Sequence, residues 1–300
     1  MFISMHNWMR AEPIETTIRR LAKYGYDSIE IEGEPAKYKT KDVLKLLKEY
    51  QLNCFGSVSL MFEGRDLIHA DEAVRASSVQ YIKDCVTMVK ELEGREMTVV
   101  PSQVGKVKAM ASPEEEWQWA VAGLQEIYAH SEKAGVVLGL EPINRFETNF
   151  LNRHDQALLL AAAVGPNCGV CLDAFHINIE EADMYQAILR TGKKLVNFHA
   201  ADNNRMACGQ GSYDWVRLIT TLKAAGYDSA LSVEFVPPLD RTPANPYKNA
   251  MAAAEAELTP EQLMFIESHS SGVLSDEFYS WLVEISAKTL KHAIKKANGR

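Results

Sequence analysis

The sequence has no long hydrophobic run. Its longest unbroken apolar stretch, Ala157 to Val164, is eight residues, against the roughly 20 that a membrane-spanning helix needs. The opening Met-Phe-Ile-Ser-Met-His-Asn-Trp-Met-Arg has no basic segment followed by an apolar one, so no signal peptide is read there. Positive charge is in the minority. The 32 Lys and Arg face 40 Asp and Glu, for a net charge of −8, and nothing basic is clustered before the last helical segment. Such a chain is a poor partner for nucleic acid or an acidic membrane surface. Cysteine is scarce and unpatterned: five residues, at 54, 85, 168, 171 and 208, with no framework spacing. That excludes a disulfide scaffold and points to a reducing, cytoplasmic compartment. Cys168 and Cys171 share a Cys-x-x-Cys spacing, but an offset of three along a strand sends the thiols to opposite faces. They read as structural. No Gly-x-Gly-x-x-Gly follows any candidate strand, so dinucleotide binding has no support.

What is present is alternation. Short apolar, β-branched runs at 2–5, 28–32, 53–59, 97–101, 136–141, 168–173, 195–199 and 230–235 predict strands. Amphipathic patterns near 13–24, 40–50, 71–93, 113–134, 152–165, 182–190, 213–225 and 276–297 predict helices. Strand followed by helix, eight times over, implies parallel strands joined by right-handed crossovers. Eight units close a (β/α)₈ TIM barrel, expected here as a single domain over 1–300; an open doubly wound sheet is the runner-up. Gly25-Tyr-Asp-Ser28 and Gly226-Tyr-Asp-Ser229 repeat the same helix stop and turn before a strand. Ser112-Pro113-Glu114 has the form of a capped helix start.

One segment breaks the rhythm. Residues 236–274 carry Pro237, Pro238, Pro243, Pro246 and Pro260, with Ala-rich and Leu/Met helical patches between them. This long insertion follows strand eight, on the face where barrel active sites are built. It is expected to be functional or a docking element rather than a plain surface excursion.

The chemistry gathers at strand ends. Strand five finishes in Glu141, strand six in Asp173, strand seven in His199 and strand eight in Glu234. Any one of these alone could be a turn former or helix cap. Four in consecutive strands would lie side by side around one mouth. Three carboxylates and an imidazole suit Mn²⁺, Co²⁺ or Mg²⁺ better than Zn²⁺. Glu147 follows Glu141 by six residues, His176 follows Asp173 by three, and Arg205 closes the run that begins at His199.

With these motifs on view, the sequence resembles the xylose-isomerase-like barrels, and within them the ketose 3-epimerase branch. Leu-Glu141-Pro-Ile-Asn-Arg-Phe-Glu147, Leu-Asp173-Ala-Phe-His176-Ile-Asn-Ile-Glu-Glu and Phe-His199-Ala-Ala-Asp-Asn-Asn-Arg205 carry the likeness, with Gly209, Gly211 and Trp215 spaced in the same manner. The resemblance implies that Glu141, Asp173, His199 and Glu234 hold a Mn²⁺-type ion, and that Glu147, His176 and Arg205 contact a sugar near its carbonyl. Glu141 and Glu234 would then act as paired bases. One removes the proton beside the ketone and the other returns one on the far side. Arg205 would share the oxyanion charge, and His176 would hold an oxygen or support the site from behind.

The pocket walls depart from that branch. Strand one leads to His6-Asn-Trp8-Met-Arg10, with His6 and Trp8 as candidate substrate contacts, and Pro101-Ser-Gln-Val-Gly-Lys-Val after strand four has no aromatic. Both features, with the 236–274 segment, look more like the catalytic (α) subunits of bacterial C-glycoside deglycosidases. That resemblance implies a different outcome: β-elimination of the aglycone of a 3-oxo-C-glycoside, with a small second subunit docking near 236–274. The expectation is therefore a metal-dependent lyase of that kind, with a ketose 3-epimerase or sugar isomerase as the alternative. A homo-oligomer is expected by resemblance in either case. An abasic-site endonuclease, a catalytically dead binding barrel and a keto-acid dehydratase share the superfamily; net charge and the occupied polar positions disfavour the first two.

Overall fold

The eight runs become strands, most of them built on Val, Ile, Leu or Met with turn residues between strand and helix. They are β1 (Phe2–Met5), β2 (Ser28–Glu32), β3 (Asn53–Val58), β4 (Glu96–Val99), β5 (Val137–Leu140), β6 (Gly169–Asp173), β7 (Leu195–Ala200) and β8 (Ala230–Val233). The computed structural model describes residues 1–238, 242–247, 250, 259–260, 262–263 and 273–299. Every laddered neighbour pair is parallel, in the order β1-β8-β7-β6-β5-β4-β3-β2. The seam between β1 and β2 is drawn together by the parallel bridge of His6 to Glu30. The result is a (β/α)₈ barrel with helices on its outside, as the alternation implies.

Helices occupy the expected segments: Ile14–Tyr24, Thr40–Glu49, Glu72–Glu91, Pro113–Ala134, His154–Val164, Met184–Thr191, Trp215–Ala224 and Asp276–Ala297. Ser112 caps its helix through a capping box with Glu115. Gly25 and Gly226, the repeated stops, both adopt left-handed φ, at 72° and 85°. A further helix, Ala174–Glu180, has no counterpart in the periodicity. Seven residues are too few to show a period, and its start coincides with a strand end. Its N-cap is Asp173, whose Oδ1 accepts the His176 N–H at 2.9 Å.

The barrel interior is polar. Parallel strands covered on both faces usually read as unbroken apolar runs. Here Glu30, Thr98, Asn197, His199 and Ser232, all fully buried, alternate with Ile29, Ile31, Met97, Val99, Phe198, Leu231 and Val233. The polar set meets across the axis: Asn197 Nδ2 on β7 donates to Glu30 Oε2 on β2 at 3.0 Å and Thr98 Oγ1 on β4 at 3.1 Å. The apolar set forms the core against the helices.

Much of 236–274, including its Ala-rich patch, lies outside the described residues, and so does the docking surface expected there. Its described ends are anchored. Val236 N–H donates to the Arg205 carbonyl at 2.8 Å, Ser275 N–H to the Ala250 carbonyl at 2.7 Å, and Tyr247 packs on Phe278 at 5.0 Å.

Candidate active site

Parallel strands with a common direction bring their C-terminal ends to one mouth, and the quartet gathers there. Candidate ligand atoms of Glu141, Asp173, His199 and Glu234 lie within 4.8 Å of one another, and all four residues are buried. Register accounts for it: Asp173 pairs with His199 across β6 and β7, Glu141 N–H donates to the Val99 carbonyl, and Glu234 N–H donates to the Ala200 carbonyl. His199 Nδ1 stands 3.0 Å from Glu141 Oε1 and 3.3 Å from Glu234 Oε2. Its Nε2 faces Glu30 Oε1 at 3.3 Å. A carboxylate behind the imidazole is the arrangement that orients a ligating histidine.

The donor set fits a divalent cation. Asp173 spends Oδ1 on its helix cap, while its buried Oδ2 has no hydrogen-bond partner. An orphaned carboxylate oxygen is costly unless something positive meets it. Burial pushes the Asp173 and Glu141 carboxyls up from their usual range, Asp173 far up with Glu234 adding to it. For Glu234, burial is outweighed by His199 and His6, which hold it well below that range. Such crowding of buried acids is the environment a cation relieves.

Above the quartet is a cavity of about 350 Å³, lined on one side by Trp8, Glu141, Glu147, His176, Arg205 and Glu234. The rest of its lining is mostly apolar, with Leu60, Met61, Phe62, Val100 and Val104 beside Ser59. Asp173 and His199 are fully buried and do not line it. Arg205 Nη1 donates to Glu147 Oε1 at 3.1 Å. Burial, followed by the Arg205 charge, brings His176 down to about 4, so its ring is neutral near pH 7.

The loop carrying Arg205 accounts for the Gly-x-Gly-x-x-x-Trp motif. Asp202, fully buried, accepts from Gly209 N at 2.8 Å, Tyr213 N at 3.1 Å and Trp215 Nε1 at 3.0 Å. A side chain at Gly211 would put its Cβ 2.3 Å from Asp202 Oδ1. The turn leaves Arg205 with a φ of 59°, an uncommon conformation for a non-glycine residue.

The two candidates just after β1 separate. Trp8 lines the cavity and its indole N–H donates to Glu234 Oε1 at 2.9 Å. His6 is fully buried, absent from the lining, and stands edge-on to His199 with ring centroids 4.4 Å apart. Cys171 lies inside the barrel beside Glu141 and His199, whereas Cys168 meets the Gly169 carbonyl; all five cysteines are free and buried. Glu30, Glu96 and Asn197 beneath the site, and Asn144 beside it, escape the motif-based reading. The signal of the first three is polar residues at every second position of strands that should be apolar on both faces.

Comparison with known proteins bears on this geometry. The model of the xylose isomerase-like TIM barrel family matches residues 18–258. The L-ribulose 3-epimerase of Mesorhizobium japonicum is 32% identical over 223 residues, 74% of this chain and 75% of that protein. The chain belongs to the xylose isomerase-like TIM barrel family and to its ketose 3-epimerase group. A ketose 3-epimerase of Arthrobacter globiformis is 27% identical over 75% of this chain and 78% of its own length. A solved D-allulose 3-epimerase from Methylomonas sp. superposes with a TM-score of 0.82 at 22% identity, covering 98% of both chains, a likeness of fold. These relatives stand on the epimerase side. The likeness to C-glycoside deglycosidase subunits is carried by the sequence motifs alone, so the expectation of a lyase yields to its alternative.

Proposed function

We propose that this member of the ketose 3-epimerase group inverts the carbon beside the carbonyl of a free ketose, using a divalent cation and two glutamates. The observation that carries the reading is the pair Glu141 and Glu234: both lines of approach meet at His199 Nδ1, and both side chains open into one cavity. Glu141, Asp173, His199 and Glu234 would hold the ion, with Mn²⁺ favoured over Co²⁺ or Mg²⁺ for three oxygen ligands and one nitrogen. When bound, the ion supplies the electrophile that makes a carbon acid beside a ketone acidic enough for a carboxylate.

The protein's own groups do the rest. One glutamate takes the proton from one side of the sugar carbon and the other delivers a proton on the opposite side. Arg205, held by Glu147, faces the negative charge that builds on oxygen. Neutral His176 donates a hydrogen bond and does not charge-repel the ion. Trp8 fixes Glu234 from the rim. A homo-oligomer and a cytoplasmic setting go with this reading.

Incubation with Mn²⁺ and D-fructose, D-tagatose or L-ribulose should give the C3-inverted ketose. A second reading is favoured by the apolar side chains of Leu60, Met61, Phe62, Val100 and Val104, which would accept an aglycone. In it the same proton removal from a 3-oxo-C-glycoside expels the aglycone, with a small second subunit engaged near 236–274. Aglycone release, with no change in any free ketose, would establish that reading and remove the first.

A further inference from the structure

Asn144 follows Glu141 by three residues, is only 2% exposed, and does not line the cavity. Its amide nevertheless touches two groups that do. Nδ2 is 2.7 Å from Glu147 Oε1 and 2.8 Å from His176 Nδ1, while Oδ1 accepts the Phe146 N–H at 3.0 Å. These contacts allow one orientation. Turning the amide over would set a carbonyl oxygen against the Glu147 carboxylate and an NH₂ against a backbone donor, losing both of those hydrogen bonds at a buried position. Nδ2 therefore gives one hydrogen to Glu147 and the other to His176.

The consequence falls on the imidazole. His176 Nδ1 faces the Asn144 side-chain N–H and also its backbone N–H, at 3.3 Å. Two donors aimed at one ring nitrogen make it the acceptor, so the ring proton sits on Nε2. The backbone of His176 is fixed as well, since its N–H is tied to Asp173. His176 lines the cavity, and Nε2–H is the polar atom it has left to present there.

We propose that Asn144 is a positioning residue that holds His176 in its Nε2–H tautomer and, by its second hydrogen, holds Glu147 against Arg205. The site thereby offers a neutral N–H donor to a substrate oxygen. Asn144 acts through its two neighbours and does not touch the substrate. The tautomer follows from hydrogen bonds alone, whereas its use on a keto-sugar oxygen rests on the proposed function.

The two can be tested apart. In ¹⁵N-histidine-labelled, Mg²⁺-loaded protein, two-bond ¹H–¹⁵N correlation spectra at pH 7.5 distinguish the two neutral tautomers directly. The His176 signals are those missing from His176→Gln. The expected wild-type pattern is a protonated Nε2 and a bare Nδ1, and a protonated Nδ1 would overturn the proposal without any variant. Asn144→Asp replaces the donor by an acceptor and should move the proton toward Nδ1. Asn144→Leu removes the donor and should leave a tautomer mixture. If both variants keep the wild-type pattern, Asn144 does not set it and the proposal fails. With ketose as substrate, each should lower kcat about 10- to 100-fold, the usual cost of losing a partner that orients a histidine, with KM changed less. Normal spectra with no ketose turnover in wild type would refute the function and leave the tautomer assignment standing.

Discussion

The two sides of the barrel mouth are built from opposite chemistry. From β5 to β8 the strand ends carry Glu141, Asp173, His199 and Glu234, backed by Glu30, Asn144 and Asp202. After β3 and β4 the cavity lining is mostly apolar: Leu60, Met61, Phe62, Val100 and Val104, with Ser59 as its one hydroxyl. The polar side is dense in hydrogen bonds, so each group has a defined orientation and most changes there remove a partner from a buried atom. The mostly apolar side discriminates substrates chiefly by fit. Under the proposed function, reaction and selectivity would fall to different strands.

The largest effect that can break this division is expected at the paired bases. Glu141→Gln and Glu234→Gln should each lower kcat by about 10³-fold or more while circular dichroism stays unchanged; near-normal turnover in either would end the two-base scheme. Next comes the support beneath. Glu30→Gln removes the carboxylate behind His199 and should weaken Mn²⁺ binding about 10- to 100-fold in a calorimetric titration. Unaltered affinity would disconnect the buried polar layer from the ion site. On the apolar side, Val104→Trp should raise KM for a ketohexose several-fold, with Mn²⁺ affinity and kcat nearly untouched. A collapse of kcat there would erase the distinction between the sides.

The smallest effect concerns pH. Because burial and Arg205 hold His176 near 4, its neutral form is present above that value and is lost only as pH falls through about 4. The sign is that of a depressed base: acidification from pH 8 to pH 5 leaves it uncharged. His176→Gln should lower the height of the kcat/KM profile without moving a limb between pH 5 and 8. A limb near pH 6.5 that disappears in the variant would show a protonated His176 in the working range.

The sequence makes much of this legible, for physical reasons that differ by element. Strands and helices follow from runs and periods, and the quartet from the polar residue that ends each of four apolar runs. Loop glycines Gly209 and Gly211 mark a motif, yet only Asp202 at their centre explains it. The helix Ala174–Glu180 is too short to have a period. Glu30, Glu96 and Asn197 look like ordinary strand polar residues facing solvent, and closure of the barrel turns that face inward. His6 is expected beside Trp8 as a substrate contact, but it continues the inward face of Ser4 at the end of β1 and is buried against Glu30 and His199. Trp8 lies past the strand and reaches the cavity. Asn144 stands in plain view within the Glu141–Glu147 motif. Its role depends on His176, 32 residues away, which no local pattern connects to it.

The central claim is that Glu141 and Glu234 exchange a proton at the carbon next to a ketone, from two sides. The direct measurement is the reaction of Mn²⁺-loaded protein with a ketohexose in D₂O, followed by NMR of the sugar. The account predicts a C3-inverted ketose carrying deuterium at C3. Inverted sugar without deuterium, or a ketose left unchanged in configuration and isotope, would contradict it.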